Sequence, residues 1–365
     1  MTRPLALVAA LLLYLAGVWA VATTPWSAAA VVAVPAPSAT ALPPAAPGTS
    51  SPRPSPSASG PWTLSTLRDH LVAELNATDP AAALADLERI TRAQPLTTRF
   101  CHPVAHELGH AALVKYHGNF AKAASYRNDV CGSGYLHGIV EEKLASSPNP
   151  VTAVTTLCAP EQTASCIHGI GHGAMFVSHL DVSGAEALCD RFPQVYQAVA
   201  CSEGIFMQLF EPDESDPAAL AQLPAGKLAR EPLYPCPEQP AGYQSACYFY
   251  APVYFLQSHD YADHPESFVQ ALDWCRQAPS SAGRNSCTMG TGSRLMKYNI
   301  DRPGWTGAQC LRGRAWQQPL CVSGMVSYWN VNYHDHSARA KLCPQLSGAA
   351  RDFCRAATGG STSAD

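Results

Sequence analysis

The sequence predicts an all-α protein built as a solenoid of αα-hairpin repeats cross-linked by disulfides, and three observations carry that expectation. Cysteines recur at a near-constant step, the residues around them recur with them, and the stretches between hold apolar residues at helical spacing. Counted over Cys131, Cys166, Cys201, Cys247, Cys287, Cys321 and Cys354, the steps are 35, 35, 46, 40, 34 and 33 residues. CGSGYLHGIVE, CIHGIGHGAMF, CSEGIFMQLFE, CTMGTGSRLMK and CVSGMVSYWNV share a glycine three residues after the cysteine, whereas Cys247 and Cys354 keep the cysteine alone. A period of about 35 residues with two amphipathic segments per unit marks stacked hairpins, because one hairpin cannot bury its apolar face by itself.

Four segments follow from composition. Residues 1–22 carry one positive charge, Arg3, before an apolar run from Leu5 to Ala22, which addresses the chain to a membrane. The Ala20-Val21-Ala22 end fits signal-peptide cleavage and the run is also long enough to stay as an anchor, so both outcomes stand and the remainder is exported in either. Residues 23–62 are almost all Pro, Ala, Ser, Thr and Val, a composition that buries too little apolar surface to order and so reads as a spacer. Residues 63–357 form the helical repeat domain, and 358–365 a polar tail. Within the domain, Asp79-Pro80 reads as an N-cap followed by proline at the first helical position, opening PAAALADLERI. SGAEALCDRF and HPESFVQALDWCRQ read as first helices of their units. With a net charge of −4 and no Lys/Arg cluster, the chain offers nothing to a phosphate backbone, which excludes nucleic acid as a partner.

Fourteen cysteines in an exported chain are read first as disulfides. Adjacent pairing gives Cys101/Cys131, Cys158/Cys166, Cys189/Cys201, Cys236/Cys247, Cys275/Cys287, Cys310/Cys321 and Cys343/Cys354. Each of the six close pairs staples a small loop, worth roughly 2 to 4 kcal/mol by chain entropy. Over Leu64 to Ala357 the pattern resembles tetratricopeptide-like solenoids, by period and not by consensus residues. That resemblance implies a concave face able to take a protein or peptide, a role that CYFYAPVYF and VSYWNVNY would serve with aromatics unless these pack as core.

CHPVAHELGH contains HELGH, which resembles the zincin metallopeptidases. The resemblance implies that His106 and His110 ligate zinc with Glu107 as general base. Leu113 and Tyr116 stand where the longer metzincin pattern requires glycine and histidine, so that subfamily is excluded. The repeat register adds a wider set. Matching Gly109 to Gly171 sets His106/His110, Ser133/His137, His168/His172 and Glu203/Met207 at equivalent positions of four successive second helices, with Glu141 and Glu211 further along. Packed helices lie 8 to 10 Å apart, so imidazoles from neighbours reach one ion. His106, His110, His137, His168, His172 and Glu141 are therefore the expected metal ligands; His102, four residues before His106, stands where it extends the cluster. The ligand types favour a divalent metal, zinc first, with copper or a di-iron centre as alternatives. The functional expectation is an exported or membrane-anchored protein with a histidine-rich metal site, a metal-dependent hydrolase first. A non-catalytic zinc or copper binder and a disulfide-braced interaction scaffold are the alternatives. His117, His179, His259, His264, His334 and His336 fall at helix ends or connections and receive no role.

Overall fold

The computed structural model describes residues 61–160, 163–211, 227, 230–231, 233–333 and 338–359. The apolar segment 1–22, nearly all of the spacer and the last six residues lie outside the described residues, as do His334 and His336. Among the described residues every regular element is a helix, and none is long and apolar enough to cross a membrane.

Two helices open the domain, α1 (Leu64–Ala77) and α2 (Pro80–Ala93). Asp79 caps α2 by accepting from the Ala82 amide at 3.0 Å, with Pro80 at the first helical position, as its sequence foretells. Long and short helices then alternate: α3 (Thr98–Lys115), α4 (Phe120–Ala124), α5 (Val130–Ala145), α6 (Pro150–Thr156), α7 (Ala164–Val177), α8 (Val182–Cys189) and α9 (Val195–Phe210). The alternation resumes with α10 (Gln244–Tyr250) and α11 (Pro252–Ser258), then α12 (Ser267–Cys275), α13 (Ser281–Tyr298), α14 (Pro303–Cys310), α15 (Gln317–Asn332) and α16 (Gly348–Gly359). Proline at 252 divides what would be one long helix into α10 and α11.

All seven disulfides join neighbouring cysteines. Five of them tie a short helix or turn to the longer helix after it, and Cys236–Cys247 ties a turn to the seven-residue α10. The first, Cys101–Cys131, ties two successive long helices, α3 and α5, directly. No cysteine is left free, and seven bridges place the folded part in an oxidising, extracytoplasmic compartment.

The row of long helices does not remain open. α15 returns to the start, where the Tyr328 hydroxyl donates to the Thr98 carbonyl at 3.4 Å and Val331 packs over Gly132. Across the middle, Arg294 and Lys297 of α13 reach Glu211 at the end of α9. These contacts draw α13 and α15 against the earlier long helices, and the inner face between them, here called the lumen, holds two cavities. Leucines 67, 71, 75, 84, 87 and 108 make the core beneath α1 to α3, and two further apolar clusters follow along the later units. Tyr248, Phe255 and Trp329 of the aromatic strings are core, whereas Phe249, Tyr250 and Tyr328 line the lumen.

Successive long helices touch backbone to backbone. A Cβ on Gly138 would drive into the His106 carbonyl, and one on Gly204 into that of His168. Glycine is otherwise costly in a helix, by about 1 kcal/mol against alanine, so its use here follows from close approach. Gly138→Ala should destabilise the protein by about 1 to 3 kcal/mol in urea unfolding, through forced separation of α3 and α5. Gly242→Ala, where a Cβ meets nothing within 4 Å, should change it by less than about 0.5 kcal/mol. Equal effects would contradict the packing argument.

Candidate metal centre

The close α3–α5–α7 contact brings histidines of three helices together. His102, His106, His137 and His172 each offer a ring nitrogen, and these nitrogens lie within 4.8 Å of one another. The rings of His106 and His172 are 4.8 Å apart, those of His102 and His106 4.7 Å, and those of His102 and His137 5.2 Å. His168 stacks on His137 at 4.8 Å and completes a group of five.

Hydrogen bonds fix which nitrogen each ring presents. His102 Nδ1 donates to the Cys131 carbonyl at 2.6 Å, since a carbonyl only accepts. That carbonyl is aimed by a left-handed turn at the start of α5, with φ of 56° at Cys131, 62° at Gly132 and 60° at Ser133. Cys131 and Ser133 are held there at a cost of about 1 kcal/mol or more each, in a segment pinned by the Cys101 bridge. His106 Nδ1 donates to Glu141 at 3.1 Å. Both rings therefore turn an unprotonated Nε2 inward when neutral, and those two atoms face each other at 3.0 Å. His172 Nδ1 bonds Gln208 at 2.8 Å, which leaves its Nε2 buried and without a partner. His137 Nε2 bonds the Ser165 hydroxyl at 3.1 Å, which leaves Nδ1 in the same condition, and His168 Nε2 is buried and unpartnered as well.

Two opposed lone pairs and several unpartnered ring nitrogens are an unfavourable set to bury. A proton between His102 and His106 relieves one pair only. A metal ion would relieve the group, and four of the rings, His102, His106, His137 and His172, are each held from behind by a carbonyl, carboxylate, hydroxyl or amide, the form that metal-ligating histidines take.

Burial first, and neighbouring imidazoles second, push His102, His137 and His168 well below the ordinary imidazole range and bring His172 down to about 4. Glu141 behaves in the opposite sense. Burial drives its carboxyl up, but the hydrogen bonds and charges of His106 and His110 outweigh burial and hold it well below the ordinary carboxylate range.

The residues expected from HELGH are distributed differently from that motif's implication. His106 faces the cluster. His110 turns its Nε2 to Glu141 at 3.1 Å, so the two share one carboxylate oxygen. Glu141 thus stands behind the cluster, and Glu107 lines neither of the two cavities that reach the histidines. In place of His110, the ring one turn before His106 is brought to the centre. His102 and His106 are also four apart, so HPVAH carries the same one-face spacing as HELGH, beside a cysteine that fixes its depth. The supporting groups Ser165, Gln208 and the Cys131 carbonyl have no signal in the sequence that separates them from ordinary polar positions.

The cluster forms a wall between two cavities. One, of about 800 Å³, is lined by His102, His137 and His168 with residues of α9, α10, α13 and α15. The other, of about 540 Å³, is lined by His102, His106 and His172. Met207, which the repeat register sets beside the histidines, lines both, while Met175 is core. No family model, no curated protein and no solved structure matches the chain.

The neutral rings give the protein a pH dependence. Unfolded, these histidines protonate near 6.5. Between that value and about 4 the unfolded chain binds more protons than the folded one, so stability rises with pH across the window. Chelator-treated protein should therefore lose unfolding free energy as pH falls from 7 to 5, by up to about 1.4 kcal/mol per pH unit for each ring kept neutral. Urea titrations at stepped pH measure this, and a flat profile would contradict buried neutral imidazoles.

Proposed function

We propose that this is an exported metal-binding protein whose ion is held by His102, His106, His137 and His172 in the wall of the lumen, where a small ligand meets it. The observation that carries the reading is the opposed pair of Nε2 atoms, 3.0 Å apart, beside two further unpartnered ring nitrogens in a group spanning 4.8 Å. A tetrahedral zinc with Zn–N bonds of 2.0–2.1 Å has ligand nitrogens about 3.3 Å apart, a contraction that side-chain rotations supply. An all-imidazole set suits zinc, copper and nickel, and it lacks the bridging carboxylates of a di-iron centre, so zinc and copper are the ions favoured. A metal so placed supplies Lewis-acid or redox chemistry to whatever occupies the lumen. Hydrolysis with Glu107 as base draws no support from the geometry, since that side chain lies away from both cavities.

Metal analysis of the full oxidised chain, purified without chelators, should find about one ion per chain. His102→Gln should lower metal affinity more than His110→Gln does, and Glu107→Gln should leave it unchanged. Here His102 is a ligand and His110 acts only through Glu141, whose own replacement by Gln should weaken binding about 10- to 100-fold. The zincin-like arrangement predicts the reverse order for the two histidines. A chain that retains no ion, or one that depends on His110 and ignores His102, contradicts the proposal.

A further inference from the structure

Opposite the histidines, the lumen wall holds a second buried charged group. Glu211, at the end of α9, takes two cations from α13: Arg294 Nε lies 2.9 Å from Oε1, and Lys297 Nζ lies 3.2 Å from Oε2. The side chains are 4% exposed for Arg294, 14% for Lys297 and 8% for Glu211, and among the described residues two cations face this one carboxylate. Buried charges in excess call for a counter-charge.

The geometry of Arg294 shows where that counter-charge belongs. Its Nε edge faces Glu211, and its guanidinium lies 5.3 Å from the Tyr250 ring and 5.9 Å from the Phe249 ring. Among the described residues no hydrogen bond reaches either Nη group, the fork that grips a carboxylate or phosphate through two parallel bonds. Arg294 lines the 800 Å³ cavity, which is within the size range of small-ligand pockets. The other charged groups there are Arg99, Lys297, Asp129, Glu203 and Glu211. Asn330, on the same wall, also buries a side-chain oxygen with no partner.

We propose that the lumen binds a small molecule through an oxyanion group, a carboxylate or a phosphate, gripped by the Nη fork of Arg294 with Lys297 beside it. The rest of that molecule then extends across the same cavity toward His102, His137 and His168. This deepens the reading of the lumen as the place where a ligand meets the metal, but the anion grip itself does not require the ion.

The test uses the full oxidised chain and calorimetric titration with succinate and, separately, inorganic phosphate, with metal content measured on every sample. Glu211→Gln removes the carboxylate that competes for Arg294 and Lys297, and it should tighten binding of the preferred probe about ten-fold. The paired change Arg294→Gln with Glu211→Gln removes one charge of each sign, so no uncompensated carboxylate is left buried, and it should weaken binding about ten-fold or more against the unaltered chain. Thermal melts confirm that both variants fold. Binding of succinate alone assigns a carboxylate ligand, and binding of phosphate alone a phosphate. No binding of either probe to the unaltered chain and to Glu211→Gln, or equal affinity in all three proteins, overturns the inference. The predicted contrast in samples devoid of metal would uphold the anion grip while removing the metal reading, so the two fail separately.

Discussion

Two helices whose backbones touch must have glycine at the crossing, and the arrangement of this protein depends on that constraint. Gly109 with Gly138, Gly171 with Gly204 and Gly292 with Gly324 let consecutive long helices approach until carbonyls lie where side chains would otherwise stand. At that separation an imidazole on one helix spans the gap to the next. Rings from α3, α5 and α7 consequently meet at one point, although they are up to 70 residues apart in the chain. The disulfides act on the same geometry from outside, holding each short helix against the long one it precedes, and the Cys101–Cys131 bridge fixes α3 against α5 beside His102.

Closing the row of helices sets the second condition. Charged side chains buried in the inner face have to be answered across the lumen or along its wall. Glu141 is answered by His106 and His110, and Glu211 by Arg294 and Lys297. The two carboxylates occupy the same place in their repeats and were anticipated as one polar row, yet their partners differ in kind. Imidazoles surround the first and permanent cations the second, which gives the lumen one wall of clustered imidazoles and another that carries guanidinium and ammonium groups.

Much of this was legible in the residues. Cysteine spacing foretold the helical class and every disulfide partner, because short loop closures between adjacent cysteines leave little geometric choice. The Asp79-Pro80 cap was readable since its chemistry is local. The histidine cluster was visible as recurring positions, but its composition was not: register counted along the sequence matched Gly109 to Gly171 and so favoured His110, whereas the three-dimensional cluster takes His102. Cys101 stands five residues before His106, whereas Cys166 stands two before His168, and that offset was the available sign, since a cysteine bridged to the next long helix holds α3 at a different depth from one bridged within its own unit. Ring closure and the Arg294–Glu211–Lys297 group depend on contacts between residues 83 apart and more, which no local pattern encodes. HELGH specifies one face of one helix, while the membership of the cluster is decided by which turn of that face the neighbouring helices meet.

The central claim is that imidazoles from three helices, and neither thiolates nor the HELGH pair alone, form one ligand set. X-ray absorption at the metal edge of the loaded, oxidised protein tests it most directly. The account predicts a first shell of about four nitrogen scatterers at 2.0–2.1 Å, with outer-shell scattering typical of imidazole rings and no sulfur at about 2.3 Å. A first shell of two imidazoles completed by oxygen, or any sulfur ligand, would contradict it.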